Sequence, residues 1–435
     1  MRLVLSTCLW ICLIAFTLQG CGGVKVQHQK AVVLHPVENP ADRMTRFPPP
    51  PDRRLTFENW QTAPYNRRGF FSVSRIMPTV SIFRGYRPAK ILLRWTKNIN
   101  LITFDDLDGN LMSVGQMLDA TYTNGFIVLK DGKIITEQYF NGMVPKSRHI
   151  IWSCSQSIIG SLIGIYVKNG LLDANASVSS YIPELAGSGF ADATIQQVLD
   201  MQVALDYSEA FGSETTPNIV QLIRAAGLGE PQAPEEQTVY DFLPTIGKKG
   251  VHGTVFQYAT PNTEVLGWIL ERVSGKPLAE LLSERIWAQI GAERDAYSIV
   301  NRAGSMASGW GINLTLRDFA RFGLVYQYNG RFNSRQIIPD TWIQDIETKG
   351  DKQAFSKGMA VSYFPQGSYR NHWWVSGDVS GSYMAIGIHG QFLYISPRSK
   401  VVIAKLSAYP QPVDPKLTYI TLKAFEAISS TLEKI

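Results

Sequence analysis

The sequence predicts an α+β domain: a sheet assembled from segments far apart in the chain, with a mainly helical insertion over about 175–345. Three observations carry this. Asp131-Gly132 between two apolar runs reads as a hairpin, turn-bounded apolar runs after Trp373-Trp374 read as strands, and the residues between repeat at the helical period.

In chain order, Phe126-Ile127-Val128-Leu129 and Lys133-Ile134-Ile135-Thr136 form the hairpin arms. The stretch 157–169 carries Ile158, Ile159, Leu162, Ile163, Ile165 and Tyr166 on most of its faces before Gly170, so it reads as a buried central helix with a glycine stop. Helical spacing returns over 262–275, 277–291 and 315–328, the last opening on Thr315-Leu316-Arg317-Asp318, close to a capping box. The runs 384–388, 391–395 and 401–406 are short enough for strands, and 415–432 closes the chain as a helix. No internal repeat is present.

At 435 residues, 45% hydrophobic and 18% charged, the chain is excluded from the disordered, collagenous and polytopic membrane classes. Its length allows two or three folding units, and it can bury a large core without disulfides. Lys and Arg outnumber Asp and Glu by 42 to 36 without a basic run, so nucleic acid is not an expected partner. Of four cysteines only Cys154 lies beyond the first 21 residues, which rules out an internal disulfide framework. Six scattered histidines show no metal-ligand spacing, and no cofactor is implied.

The amino terminus reads as an export signal. Arg2 precedes an apolar stretch over 3–17, and Leu18-Gln19-Gly20-Cys21 resembles a bacterial lipobox. The expectation is a signal peptide over 1–20, and a lipidated Cys21 with a proline-punctuated spacer over 21–54 ending in Pro48-Pro49-Pro50-Pro51. A catalytic body would follow over 55–435. Gly22 in place of Asp favours an outer-membrane anchor facing the periplasm.

Ser153 directly precedes the buried helix, where a helix dipole and free backbone N–H groups favour an alkoxide. Serine there is also a common cap. What separates the two is its company. Trp152-Ser153-Cys154-Ser155-Gln156-Ser157, Gly170-Leu171-Leu172-Asp173, Tyr181-Ile182-Pro183-Glu184-Leu185, Phe256-Gln257-Tyr258-Ala259-Thr260-Pro261-Asn262-Thr263 and Gly387-Ile388-His389-Gly390-Gln391 occur in this order. Taken together they resemble the class C β-lactamase-related serine hydrolases, most closely the branch of 6-aminohexanoate-dimer hydrolases and carboxylesterases.

That resemblance implies a penicillin-recognition fold, an antiparallel sheet with flanking helices and a helical subdomain. It further implies Ser153 as nucleophile, Tyr258 facing it, and an oxyanion hole from the N–H groups of Ser153 and Ile388. Trp374, Phe211, Thr260 and Gly387 fall among its substrate-binding positions. Phe211 stands where the family carries a tyrosine, so any contact made by that hydroxyl is lost.

One position departs from the pattern. The family places a lysine three residues after the nucleophile, and here that residue is Gln156, which cannot gain or lose a proton near neutral pH. No lysine lies between Ser147 and Val167. His389 either faces the site from its strand or points away. Cys154 reads as packing or as a rival thiol, and His149 as structural.

Three functions follow. One is a serine hydrolase of esters or small amides, weak or altered through Gln156. The second is a lipid-anchored binding protein for an envelope peptide or protein that has lost acylation. The third, a β-lactamase or peptidoglycan peptidase, is weakened by Ala385-Ile386-Gly387 standing where Lys-Thr-Gly would.

Overall fold

A computed structural model describes residues 49–209, 217–227, 238–301 and 303–435. The expected signal, lipobox and most of the spacer lie outside these residues, as does Phe211. Of the spacer, Pro50 keeps a polyproline backbone (φ −53°, ψ 149°), whereas Pro51–Arg53 is a 3₁₀ turn. Tyr65 Oη donates to Asp52 O at 2.6 Å, so this end of the spacer is tied to the body rather than held free of it.

The main sheet has seven strands. They are β1 (Thr123–Lys130), β2 (Lys133–Tyr139), β3 (Ser368–Arg370), β4 (Trp373–Val375), β5 (Tyr383–Gly387), β6 (Gln391–Ser396) and β7 (Val401–Ser407). Their spatial order is β3-β4-β5-β6-β7-β1-β2, antiparallel throughout. The sheet therefore joins the expected hairpin to the expected carboxyl-terminal strands. Asp131 and Gly132 both have positive φ (49° and 72°), the two-residue turn that a right-twisted hairpin favours.

Alternation along β7 sorts the core into two layers. Val402, Ala404 and Leu406 face the side of α1 (Cys154–Lys168) and α3 (Leu316–Gln327). Val401 and Ile403 face α4 (Pro415–Glu433), which contributes Ile420, Ala424, Phe425 and Ile428. Helix α1 starts at Cys154, three residues before the apolar run alone implied, and is buried along almost its whole length. Helix α2 (Pro261–Ser274) packs across it and ends on Gly275 at φ 67°.

The insertion over 175–345 is not purely helical. It supplies Ala296–Ile299 and Ile312–Leu314 to a second, four-stranded antiparallel sheet completed by Thr79–Ile82 and His149–Ile150. Its segment α3, capped by Thr315 Oγ1 accepting from Asp318 N, lies on β1, β6 and β7 of the main sheet. The stretch 277–291 is not one helix: Leu278–Leu282 is α-helical and Ser283–Trp287 widens into a π turn.

An extended segment closes the outer edge of β2. Leu93 O accepts from Ile134 N at 2.8 Å, Trp95 N donates to Ile134 O at 2.8 Å, and Lys97 N donates to Ile135 O at 3.0 Å.

Candidate active site

Ser153 sits where the chain turns abruptly into α1. Trp152, just before it, adopts φ 47°, a strained conformation for a bulky residue. Aromatic packing holds it there. The Trp152 ring stacks on Trp60 (centroids 5.7 Å apart), meets Phe70 edge-on at 5.5 Å and lies 6.1 Å from Trp310. Ser153 occupies the cap position yet makes no side-chain capping bond, so its hydroxyl is free to face elsewhere. It faces the Tyr258 hydroxyl, which is also approached by the Gln156 side chain.

Strand β5 closes on this point through Gly387. A Cβ there would stand 2.5 Å from Ile151 O and 3.1 Å from Ser153 N, so only glycine lets the strand approach so closely. The N–H groups of Ser153 and Ile388 donate to no acceptor among the described residues, and both residues border the same cleft. Two undonated N–H groups beside a serine hydroxyl are the elements of an oxyanion hole.

That cleft encloses about 980 Å³, and its walls include Tyr258, Trp374, Phe256, Ile386, Phe392 and Tyr409. Trp374 stacks on Tyr258 with centroids 5.6 Å apart and planes 24° from parallel, and both rings line the cleft. Lys249 and Lys357 also contribute to its lining.

Among the described residues, no cation is one of the main groups acting on the Tyr258 hydroxyl. Burial, and then the charge of Glu209, raise its pKa above that of an ordinary phenol, opposed by hydrogen bonds from Ser153 and Gln156. Tyr258 therefore holds its proton at neutral pH. Gln156 is fully buried, and its Nε2 meets no acceptor at good hydrogen-bond geometry. On the facing helix, Asn262 Oδ1 is likewise buried without a donor.

Thr260 takes a different place from the one expected. Rather than lining the cleft, it donates its N–H to Glu209 Oε2 at 2.6 Å and its hydroxyl to Glu209 Oε1 at 2.7 Å. Glu209 reaches the cleft instead. His389 also turns away: its ring packs on Phe70 (5.0 Å) and Trp152 (5.8 Å), and Nδ1 lies 2.7 Å from Tyr409 O. Burial lowers its pKa to about 4, so it braces the hairpin behind the nucleophile as a neutral ring. Cys154 is buried, with Sγ 3.5 Å from Gln391 O and its thiol pKa pushed up, which makes it a packing residue. His149 is structural, held between Asn124 Nδ2 and Ile150 O and lowered by burial to about 4.

Glu209 escaped the sequence reading because a lone glutamate in a polar loop carries no periodic signal. Burial raises its pKa to about 7 despite the two Thr260 hydrogen bonds. Since the folded value lies above the unfolded 4.5, its contribution to stability is complete below about 4.5 and lost as pH rises through about 7. Glu209→Gln is thus expected to melt no higher than wild type at pH 4.5 and to gain roughly 1–3 kcal/mol over it by pH 8.5. A pH-independent difference in melting temperature would refute the assignment.

The Beta-lactamase family profile matches residues 119–425, well over half the chain, and the chain belongs to that family. It is 34% identical over 369 residues to the 6-aminohexanoate-dimer hydrolase of Paenarthrobacter ureafaciens, covering 84% of this chain and 91% of that protein. A solved structure described as a 6-aminohexanoate-dimer hydrolase from Bacillus anthracis superposes with a TM-score of 0.81 at 28% identity, over 89% of this chain and 99% of that one. A family VIII carboxylesterase shares the fold alone, with a TM-score of 0.55 at 15% identity over 72% of this chain and 95% of that one. These similarities establish the β-lactamase/transpeptidase-like fold and place the chain among hydrolases.

Proposed function

We propose that the protein is a serine hydrolase that opens esters or small linear amides through an acyl-enzyme at Ser153. The observation that carries this reading is the juxtaposition of the Ser153 hydroxyl, the Tyr258 hydroxyl and two undonated N–H groups at one wall of an aromatic cleft. Ser153 Oγ attacks the carbonyl as its proton passes to the Tyr258 oxygen and the Tyr258 proton passes to the leaving group, the Ser153 and Ile388 N–H groups stabilise the oxyanion, and water then hydrolyses the acyl-enzyme by the reverse relay to free Ser153. The name of the Paenarthrobacter relative points to a short amide as the substrate class.

Gln156 limits the rate. It stands where the resemblance places a lysine; it cannot take the serine proton, and it acts on the Tyr258 pKa only through a hydrogen bond, without the positive charge a lysine would bring. Losing a positioned acid/base group costs about 10²–10⁴ in rate, while an oxyanion hole and binding alone leave about 10³–10⁴ over water. Activated esters therefore remain within reach. Amides, with their poorer leaving group, are slower.

A second reading, a binding protein that keeps the cleft without acylating, is favoured by the same neutral Tyr258 and by the orphaned Gln156 Nε2. Reaction with a fluorophosphonate probe separates the two: stoichiometric labelling supports the hydrolase, and none supports the binding protein.

The proposed location is the bacterial envelope, through diacylation of Cys21; the support is the Leu18-Gln19-Gly20-Cys21 sequence.

 Metabolic labelling with a radioactive fatty acid should mark wild type and not Cys21→Ala. Equal labelling of both would remove the lipid anchor from the proposal.

A further inference from the structure

From Asn59 to Phe104 the chain carries eight Lys and Arg and no Asp or Glu. The middle of this stretch, 83–97, runs over the surface as Phe-Arg-Gly-Tyr-Arg-Pro-Ala-Lys-Ile-Leu-Leu-Arg-Trp-Thr-Lys. Its backbone is fixed. Lys90 N donates to Gly291 O at 2.8 Å, Arg321 Nε and Nη2 donate to Lys90 O, and Leu93, Trp95 and Lys97 pair with the outer strand β2.

Its side chains are arranged otherwise. Tyr86 (94% exposed), Ile91 (77%) and Leu93 (63%) project into solvent together with Phe83 and Trp95, while Leu92 turns inward onto the core. Ile91, Leu93 and Trp95 alternate along an extended segment and so share its outer side. Among the described residues Arg84, Arg87, Lys90 and Lys97 form no salt bridge, and Arg94 alone is neutralised, by Glu137. Arg84 donates to the carbonyls of Arg87 and Ala292, and Lys97 Nζ lies 4.6 Å from the Trp95 ring centroid, so these cations keep their charge without a carboxylate beside them. Five large apolar side chains interleaved with such cations on one rigid segment are more than scattered surface hydrophobics.

We propose that 83–97 is a docking surface for an anionic membrane leaflet. Aromatic and aliphatic tips enter the boundary between headgroups and acyl chains, where Trp and Tyr are favoured, while Arg and Lys remain at the level of the phosphates. A second copy of the chain fits the segment poorly, because pairing it with itself across a two-fold axis sets cation against cation. The proposal stands apart from the Ser153 chemistry, and from the lipid at Cys21, since it rests on described residues distant in sequence from both.

The test uses the full chain with vesicles of phosphatidylcholine alone or mixed with phosphatidylglycerol. Amide hydrogen exchange between Phe83 and Leu92 is expected to slow on the mixed vesicles, not on the neutral ones, and to recover at high salt. Arg87→Glu/Lys90→Glu/Lys97→Glu should lower the ratio of binding to anionic over neutral vesicles by about 10²-fold, at about fivefold per cation. Taking that ratio cancels any contribution from the amino-terminal segment. Hydrolysis of an activated ester by the triple variant should equal that of wild type, which checks its folding. Three outcomes overturn the proposal: equal protection on both vesicle types, equal protection by soluble polyglutamate, or protection that grows with protein concentration without lipid.

Discussion

Ser153→Ala is expected to abolish fluorophosphonate labelling and to drop hydrolysis of a short activated ester by about 10³-fold, leaving only what the oxyanion hole and binding supply over water. The substitution removes only an oxygen from a residue that makes no capping bond, so α1 loses no hydrogen bond from its first turn. Trp152 keeps its packing on Trp60 and Phe70, and the cleft keeps its shape. A change in rate without a change in melting temperature would therefore report chemistry rather than unfolding. Cys154 offers no substitute nucleophile, because it is buried and its thiol holds its proton. Equal rates in wild type and variant would place the activity elsewhere on the chain.

Gln156→Lys is expected to raise kcat for the same ester by about 10²-fold with little change in KM. The side chain is one helical turn from Ser153 and beside Tyr258, so an ammonium or amine at its end would act on both. As a cation it lowers the Tyr258 pKa, opposing burial and the Glu209 charge; as a free amine it accepts the serine proton. The pH profile provides an independent readout. With Gln156 no group at the nucleophile titrates near neutrality except through Glu209, whereas the lysine variant should acquire a new ionisation. Burying a charge can also destabilise, so melting is measured alongside. A folded variant with unchanged acylation would mean that the remaining geometry no longer supports catalysis, and the binding-protein reading would lead.

Much of this was legible in the sequence because its signals were local. Asp131-Gly132 demanded positive φ at consecutive residues and so fixed the hairpin. Gly170 stopped the central helix where left-handed backbone follows. The motif order around Ser153, Tyr258 and Gly387 located the three segments that meet at the cleft, and the structure brings them together. Other features depended on contacts between distant residues. The second sheet is built from strands of two to four residues taken from four places, too short to show any alternation. His389 lies beside Ile388 in a turn at φ 58°, where the simple two-residue period of a strand no longer says which way a side chain points. Thr260 and Glu209 are 51 residues apart, and nothing local reveals that one occupies the other's hydrogen bonds. The spread of 277–291 into α and π turns likewise escapes a periodicity that suits either.

The extended segment on β2 has a consequence for self-association. Without it, the sheet would end in a strand with a row of free N–H and C=O groups, the kind of edge on which copies of a protein add to one another. Leu93, Trp95 and Lys97 occupy those positions, and Gly291 and Arg321 anchor the segment from the other side. Cutting the chain between Phe83 and Leu92 would leave the cleft beside Ser153 intact but free that cover to lift. The nicked protein would then be prone to ordered strand-to-strand assembly with its cleft unchanged.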